Sequence, residues 1–168
     1  MFGGVRDAAQ SLMRELENPT ISYGKYLLLA FVAASLPAWV IAELFNMAAT
    51  SFGYSFAVED KTTQLIDSLP WYIVNFVMPM VETLLLAGLI ALIPMKRAHW
   101  IVGSICSVIF GVAHGFSNGA LWIAGPAWAF FVYAMAYQAW RDLSFFRAFG
   151  AAGIPHVLNN ALAALFFD

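Results

Sequence analysis

Charge is what this chain has least of: Asp, Glu, Lys and Arg together make up 11% of its 168 residues. Eight basic and ten acidic side chains leave a formal net charge of −2. No basic patch exists to neutralise phosphates, which excludes a nucleic-acid partner. Cysteine occurs once, as Cys106 inside an apolar segment, so no internal disulfide forms and cysteine usage indicates no redox compartment. The first two dozen residues are mixed in character where a cleavable signal peptide has its apolar core, so none is expected.

What is present is apolar surface. At 62% hydrophobic and 16% aromatic, with a mean hydropathy of +0.76, the chain is too apolar for an ordinary soluble domain. It reads as all-α, a polytopic helical bundle in one membrane domain spanning residues 1–168, with no room for a second globular unit. Five segments have the roughly 20 apolar residues that a spanning helix needs: 25–49, 71–95, 98–116, 120–140 and 147–167. Ahead of them, Val5, Ala9, Leu12 and Leu16 recur at helical spacing, with Arg6, Arg14, Glu15 and Glu17 elsewhere on the wheel. This predicts an amphipathic interfacial helix over 3–18, ended by Pro19. Gly103, Ser107 and Gly111 form a small-residue stripe on the third span, which invites a second helix to approach closely. Pro37, Pro79, Pro126 and Pro155 fall inside spans and predict kinks.

Basic residues orient the bundle. With the N-terminus inside, Arg6, Arg14, Lys25, Lys96, Arg97, Arg141 and Arg147 are cytoplasmic and only Lys61 is outside. The C-terminus then lies outside, as the positive-inside rule requires. Tyr23, Tyr26, Trp71, Trp100 and Trp140 lie near span ends, where amphipathic rings favour the interface. The outer loop, about 50–70, carries Glu59, Asp60 and Asp67 and has no sign of a folded domain. The compact design and charge bias suit a bacterial inner membrane.

Against this background four polar residues stand out: Glu82, His114, His156 and Asn160. An ionisable group near mid-bilayer costs a few kcal/mol, so its presence argues for a use. Counting along each helix from the nearest cytoplasmic charge puts Glu82 and Asn160 at about 20 Å, His114 at about 25 Å and His156 at about 14 Å. Tilt absorbs the differences, and the four share a layer slightly outward of the centre. His156 and Asn160, four apart, project from one helix face, as do Phe110 and His114. Asn75, Met78 and Glu82 share a side of the second span, giving Glu82 a polar neighbour. Peptide hydrolysis asks for such a set: a base to activate water and a donor for the developing oxyanion. Glu82 and His114 fit the first requirement.

The three motifs are VETLLLAG (81–88), FGVAHG (110–115) and HVLNNALA (156–163). In that order, each in its own apolar helix, they resemble the CPBP family of intramembrane glutamate proteases, which includes CAAX-prenyl endopeptidases and bacteriocin-processing or immunity proteins. The resemblance covers residues 71–167. It implies an intramembrane endopeptidase with a catalytic set of Glu82, His114, His156 and Asn160, the last two supplying oxyanion contacts. It further implies a membrane-associated or lipidated peptide or protein as substrate, and no cofactor. Larger relatives have more spans, which makes this a minimal member. Thr83 stands where the family often has a second glutamate, and Ala87 where it has an arginine.

Two other readings use the same residues. A non-enzymatic immunity or partner-binding membrane protein would retain them as a relict site. Glu82, His114 and His156 also form a two-His, one-carboxylate set of the kind that holds Zn²⁺, although no HExxH motif is present. Gly115–Gly119 matches GxSxG formally, but at a helix–helix turn rather than a strand-to-helix elbow, so it reads as a loop of small residues. His99 is expected to be solvated at the interface, Glu43 and Asn46 to snorkel, Asn159 to bond a neighbouring helix, and Cys106 to pack.

Overall fold

The computed structural model describes residues 2–53, 68–93, 98–118 and 123–167. Lys61, Lys96, Arg97, Gly119 and the acidic residues of the outer loop, Glu59, Asp60 and Asp67, lie outside the described residues. Within them the chain forms six helices and no strand. These are α1 (Phe2–Glu17), α2 (Tyr23–Ser51), α3 (Ile73–Leu92), α4 (His99–Asn118), α5 (Ala124–Arg141) and α6 (Phe145–Phe167). Three of them, α2, α3 and α4, are long and apolar enough to cross a membrane. Helices α5 and α6 occupy the fourth and fifth predicted spans but carry more polar residues. In α5 these include Gln138 and Arg141; in α6, Arg147, His156, Asn159 and Asn160.

Helix α5 is the hub. It packs on α4, α6, α2 and α1, and from Ala129 to Gln138 nearly every residue is buried. The small-residue stripe of α4 faces it, as the spacing predicts. A Cβ added at Gly111 would come 2.7 Å from the Ala127 Cβ, and the Ser107 hydroxyl donates to the Ala127 carbonyl at 2.7 Å. Cys106 is fully buried beside this contact face, a packing residue.

The four prolines act differently from one another. Pro37 has no N–H for the Ala33 carbonyl four residues back. The indole of Trp128 on α5 supplies that bond, Nε1 donating to Ala33 at 2.8 Å. Pro79 follows a π-helical turn at Ile73–Val77, where the Met78 N–H reaches the Ile73 carbonyl. That turn takes up the distortion that a proline imposes. Pro126 lies in the first turn of α5, where an N–H has no intrahelical partner anyway, so the kink expected there does not arise. Pro155 sits inside α6. Helix α2 ends conventionally, with Gly53 at φ 76°, a left-handed conformation that glycine adopts without strain.

Helix α1 is more embedded than its sequence suggests. Leu16 is buried, Leu12 and Met13 pack on the core, and Ala9 is exposed. The Tyr26 hydroxyl donates to the Leu16 carbonyl at 3.0 Å. The Thr20 backbone N–H and hydroxyl both donate to the Glu15 carboxylate, which holds that carboxyl below its usual range. Tyr23 and Tyr26 meet Trp140 edge-on at 4.8 and 5.4 Å. Tyr26 and Trp140 are therefore buried joints between α1, α2 and α5 rather than interfacial belt residues; Trp71 and Trp100 are exposed.

A candidate active site between α3, α4, α5 and α6

Residues Asn75, Pro79, Thr83, Leu86, Ala87 and Ile90 form the buried face of α3, and Glu82 stands at its margin. Leu84 and Leu85, on the opposite side, are exposed, as a 3.6-residue repeat requires. This face meets α6 at a point where α6 has no side chain. A Cβ at Gly153 would lie 3.3 Å from the Met80 sulfur and 3.5 Å from the Thr83 methyl. Close approach at Gly153 brings the next turn of α6, with His156, against Glu82 and Thr83. Glu82 Oε2 lies 3.3 Å from His156 Nε2, with the Glu82 side chain one-quarter exposed and His156 almost fully buried. On the other edge of the ring, His156 Nδ1 is 3.3 Å from Thr83 Oγ1. The Thr83 hydroxyl also donates to the Pro79 carbonyl at 2.7 Å.

Helix α5 supplies the wall. Tyr133 stacks on the His156 ring at 4.7 Å, and Phe130 meets it edge-on at 5.1 Å. Phe130 in turn stacks on Phe110 at 4.2 Å and lies 5.3 Å from His114. His114 is half-buried, and its Nδ1 is 2.8 Å from the Phe110 carbonyl one turn back. A carbonyl only accepts, so Nδ1 carries the hydrogen and a neutral His114 keeps its lone pair on Nε2. Phe110 thus orients His114 twice, through its carbonyl and through Phe130.

Glu82 and His156 are brought into contact, and Phe130 touches both His114 and His156. Asn160 sits one turn after His156, half-buried, and makes no side-chain hydrogen bond among the described residues. The Asn159 Oδ1 is buried without a hydrogen-bond partner among the described residues. Asn75 is buried, but its amide donates to the Trp71 carbonyl of its own helix at 3.1 Å rather than to Glu82. Among the described residues no three His, Cys, Asp or Glu side chains gather closely enough to hold a metal ion. The pair in hand is carboxylate with imidazole. Glu43 and Asn46 are exposed on α2. His99 is half-buried and its carbonyl accepts from Gln138 Nε2 at 3.1 Å. The GxSxG match falls on the C-terminal end of α4, helical as far as Asn118.

The sequence does not single out two residues of the site, Phe130 and Tyr133, and Thr83 enters it only as the residue at the family's second-glutamate position. The Tyr133 hydroxyl is buried with no hydrogen-bond partner among the described residues, an uncommon state for a buried phenol. Only the register of Tyr133, one turn after the aromatic Phe130, hints that both face one way. Comparison with known protein families, with curated proteins and with solved structures finds no match to this chain.

Proposed function

We propose that this protein is an intramembrane endopeptidase, a minimal protease of the CPBP type. In this reading it hydrolyses a peptide bond of a membrane-associated or lipidated substrate. The observation that carries the reading is the contact between Glu82 and His156, two ionisable groups on helices far apart in the sequence yet 3.3 Å apart in the bundle. Glu82 takes a proton from water as the oxygen attacks the carbonyl carbon, with His114 Nε2 sharing that water. The oxyanion that forms is met by donors from the His156 side: the imidazole, the Asn160 amide and the unpartnered Tyr133 hydroxyl. Collapse breaks the C–N bond, and the leaving amine takes the proton held by the Glu82–His156 pair. Water enters along the exposed edge of Glu82, while the Phe110–Phe130 wall keeps bulk solvent from the imidazoles.

Five spans in one inner-membrane domain, with the N-terminus cytoplasmic, belong to the same proposal. Helix α5 is wrapped by protein on most sides, so it can cross a bilayer without being apolar enough to face lipid. Helix α6 turns His156 towards α3 and α5, where an intramembrane imidazole is tolerated.

Membranes from cells making the wild-type chain or Glu82→Gln, compared by peptide mass spectrometry, test the activity. The wild type should yield a cleavage product whose precursor accumulates in Glu82→Gln. A folded Glu82→Gln protein that cleaves at the wild-type rate sinks the proposal. Function that survives in Glu82→Gln but is lost on alanine substitution of His156 would instead favour a non-enzymatic partner-binding protein.

A further inference from the structure

The hydrogen-bond directions around His156 carry a conclusion about protons. A threonine hydroxyl has one hydrogen to give. At Thr83 the short bond is to the Pro79 carbonyl, 2.7 Å, and a carbonyl cannot donate, so the hydrogen is committed there. The Thr83 oxygen then offers only lone pairs to His156 Nδ1, 3.3 Å away. Two lone pairs facing each other in a buried site repel, so Nδ1 must be the protonated nitrogen. In a neutral ring this leaves Nε2 bare. Nε2 faces Glu82 Oε2 at 3.3 Å, and a bare nitrogen opposite a bare carboxylate would repel as well. One proton therefore has to lie between them, on the carboxyl or on the ring.

We propose that Thr83 is a positioning residue that sets the tautomer of His156, so that the Glu82–His156 contact holds a single shared proton in the resting protein. In this role Thr83 touches neither water nor substrate. It acts through the ring, and its surroundings hold it there: Thr83 is fully buried and its methyl packs beside Gly153 of α6. Stacking on Tyr133 and the edge of Phe130 prevent the imidazole from turning over. The proton count rests on this geometry alone; only its use, as the proton delivered to the leaving amine, rests on the hydrolytic reading.

Nitrogen NMR of the full chain, labelled at its histidine rings and held in lipid nanodiscs, tests the inference without any substrate. His99→Gln and His114→Gln assign the His156 signals by elimination. Wild-type Nδ1 should resonate as a protonated nitrogen. Thr83→Val, close in shape, removes the hydroxyl acceptor and leaves the Pro79 carbonyl, which the ring also approaches. If Thr83 sets the tautomer, the ring should still shift to Nε2–H donating to the carboxylate, moving Nδ1 to the bare-nitrogen region. Thr83→Ser, which keeps the hydroxyl, should restore the wild-type pattern. A bare Nδ1 in the wild type overturns the proposal, even if Thr83→Val fails to fold. So does a Thr83→Val ring spectrum identical to that of the wild type. A protein that shows the expected spectra but no Glu82-dependent cleavage keeps this inference and loses the hydrolytic reading instead.

Discussion

At the scale of single residues, a contact at Nδ1 fixes the orientation of each imidazole of the site. His114 spends Nδ1 on the Phe110 carbonyl; His156 spends Nδ1 on Thr83 and turns Nε2 to Glu82. The Tyr133 hydroxyl, by contrast, is buried without a hydrogen-bond partner among the described residues. An unpaired buried donor lowers stability by about 1 kcal/mol or more. Tyr133→Phe is therefore expected to raise the unfolding midpoint in detergent, by an amount corresponding to about 1 kcal/mol. If the hydroxyl is an oxyanion donor, the same variant slows cleavage of the accumulated precursor on the order of a hundredfold. A Tyr133→Phe protein less stable than the wild type would show that the hydroxyl has a partner at rest. Stability gained while activity is lost would identify a group kept for the reaction.

At the scale of elements, prolines and glycines set the helix contacts that the site depends on. The π-helical turn before Pro79 adds one residue to α3, rotating the remainder of the helix by about 100° relative to an uninterrupted one. Asn75 lies inside that turn and bonds the Trp71 carbonyl. Gly153 lets α6 approach α3, and Gly111 lets α4 approach α5. Helix α2 is joined to α5 by the Trp128–Ala33 bond, which compensates for the N–H that Pro37 lacks. Trp128→Phe should cost about 1 kcal/mol in reversible unfolding. In a Pro37→Ala background the helix has its own donor for Ala33, and the same substitution should cost clearly less. Equal costs in the two backgrounds would show that packing of the indole, rather than its N–H, is what matters.

At the scale of the whole molecule, contacts between distant segments gather the described basic residues. Tyr23, next to Lys25 in α2, donates to the Arg147 carbonyl at 2.8 Å. Trp140, beside Arg141, meets Tyr23 and Tyr26, and Tyr26 bonds the α1 segment that carries Arg14. One end of the bundle thus holds Arg14, Lys25, Arg141 and Arg147, the pattern expected of a cytoplasmic end. With five spans, tags placed at the two termini should be labelled from opposite sides of sealed vesicles, the N-terminal tag from the cytoplasmic side. Labelling of both from one side would rule out an odd number of spans. Helical architecture, the three most apolar helices and the α4 stripe were legible in the sequence, because each depends on local periodicity and composition. So was the candidacy of Glu82, His114, His156 and Asn160, since a polar group in an apolar run needs no partner to be conspicuous. What they contact was not legible. Glu82 meets His156 only because Gly153 removes a side chain from the α3–α6 contact, while Tyr133 comes to stack on the same ring from α5. Tyr26 and Trp140 were indistinguishable from belt aromatics until their neighbours were known. Spacing along one helix determines which residues share a face; which face meets which is decided by close packing between helices, and that is where Thr83 and Tyr133 entered the site.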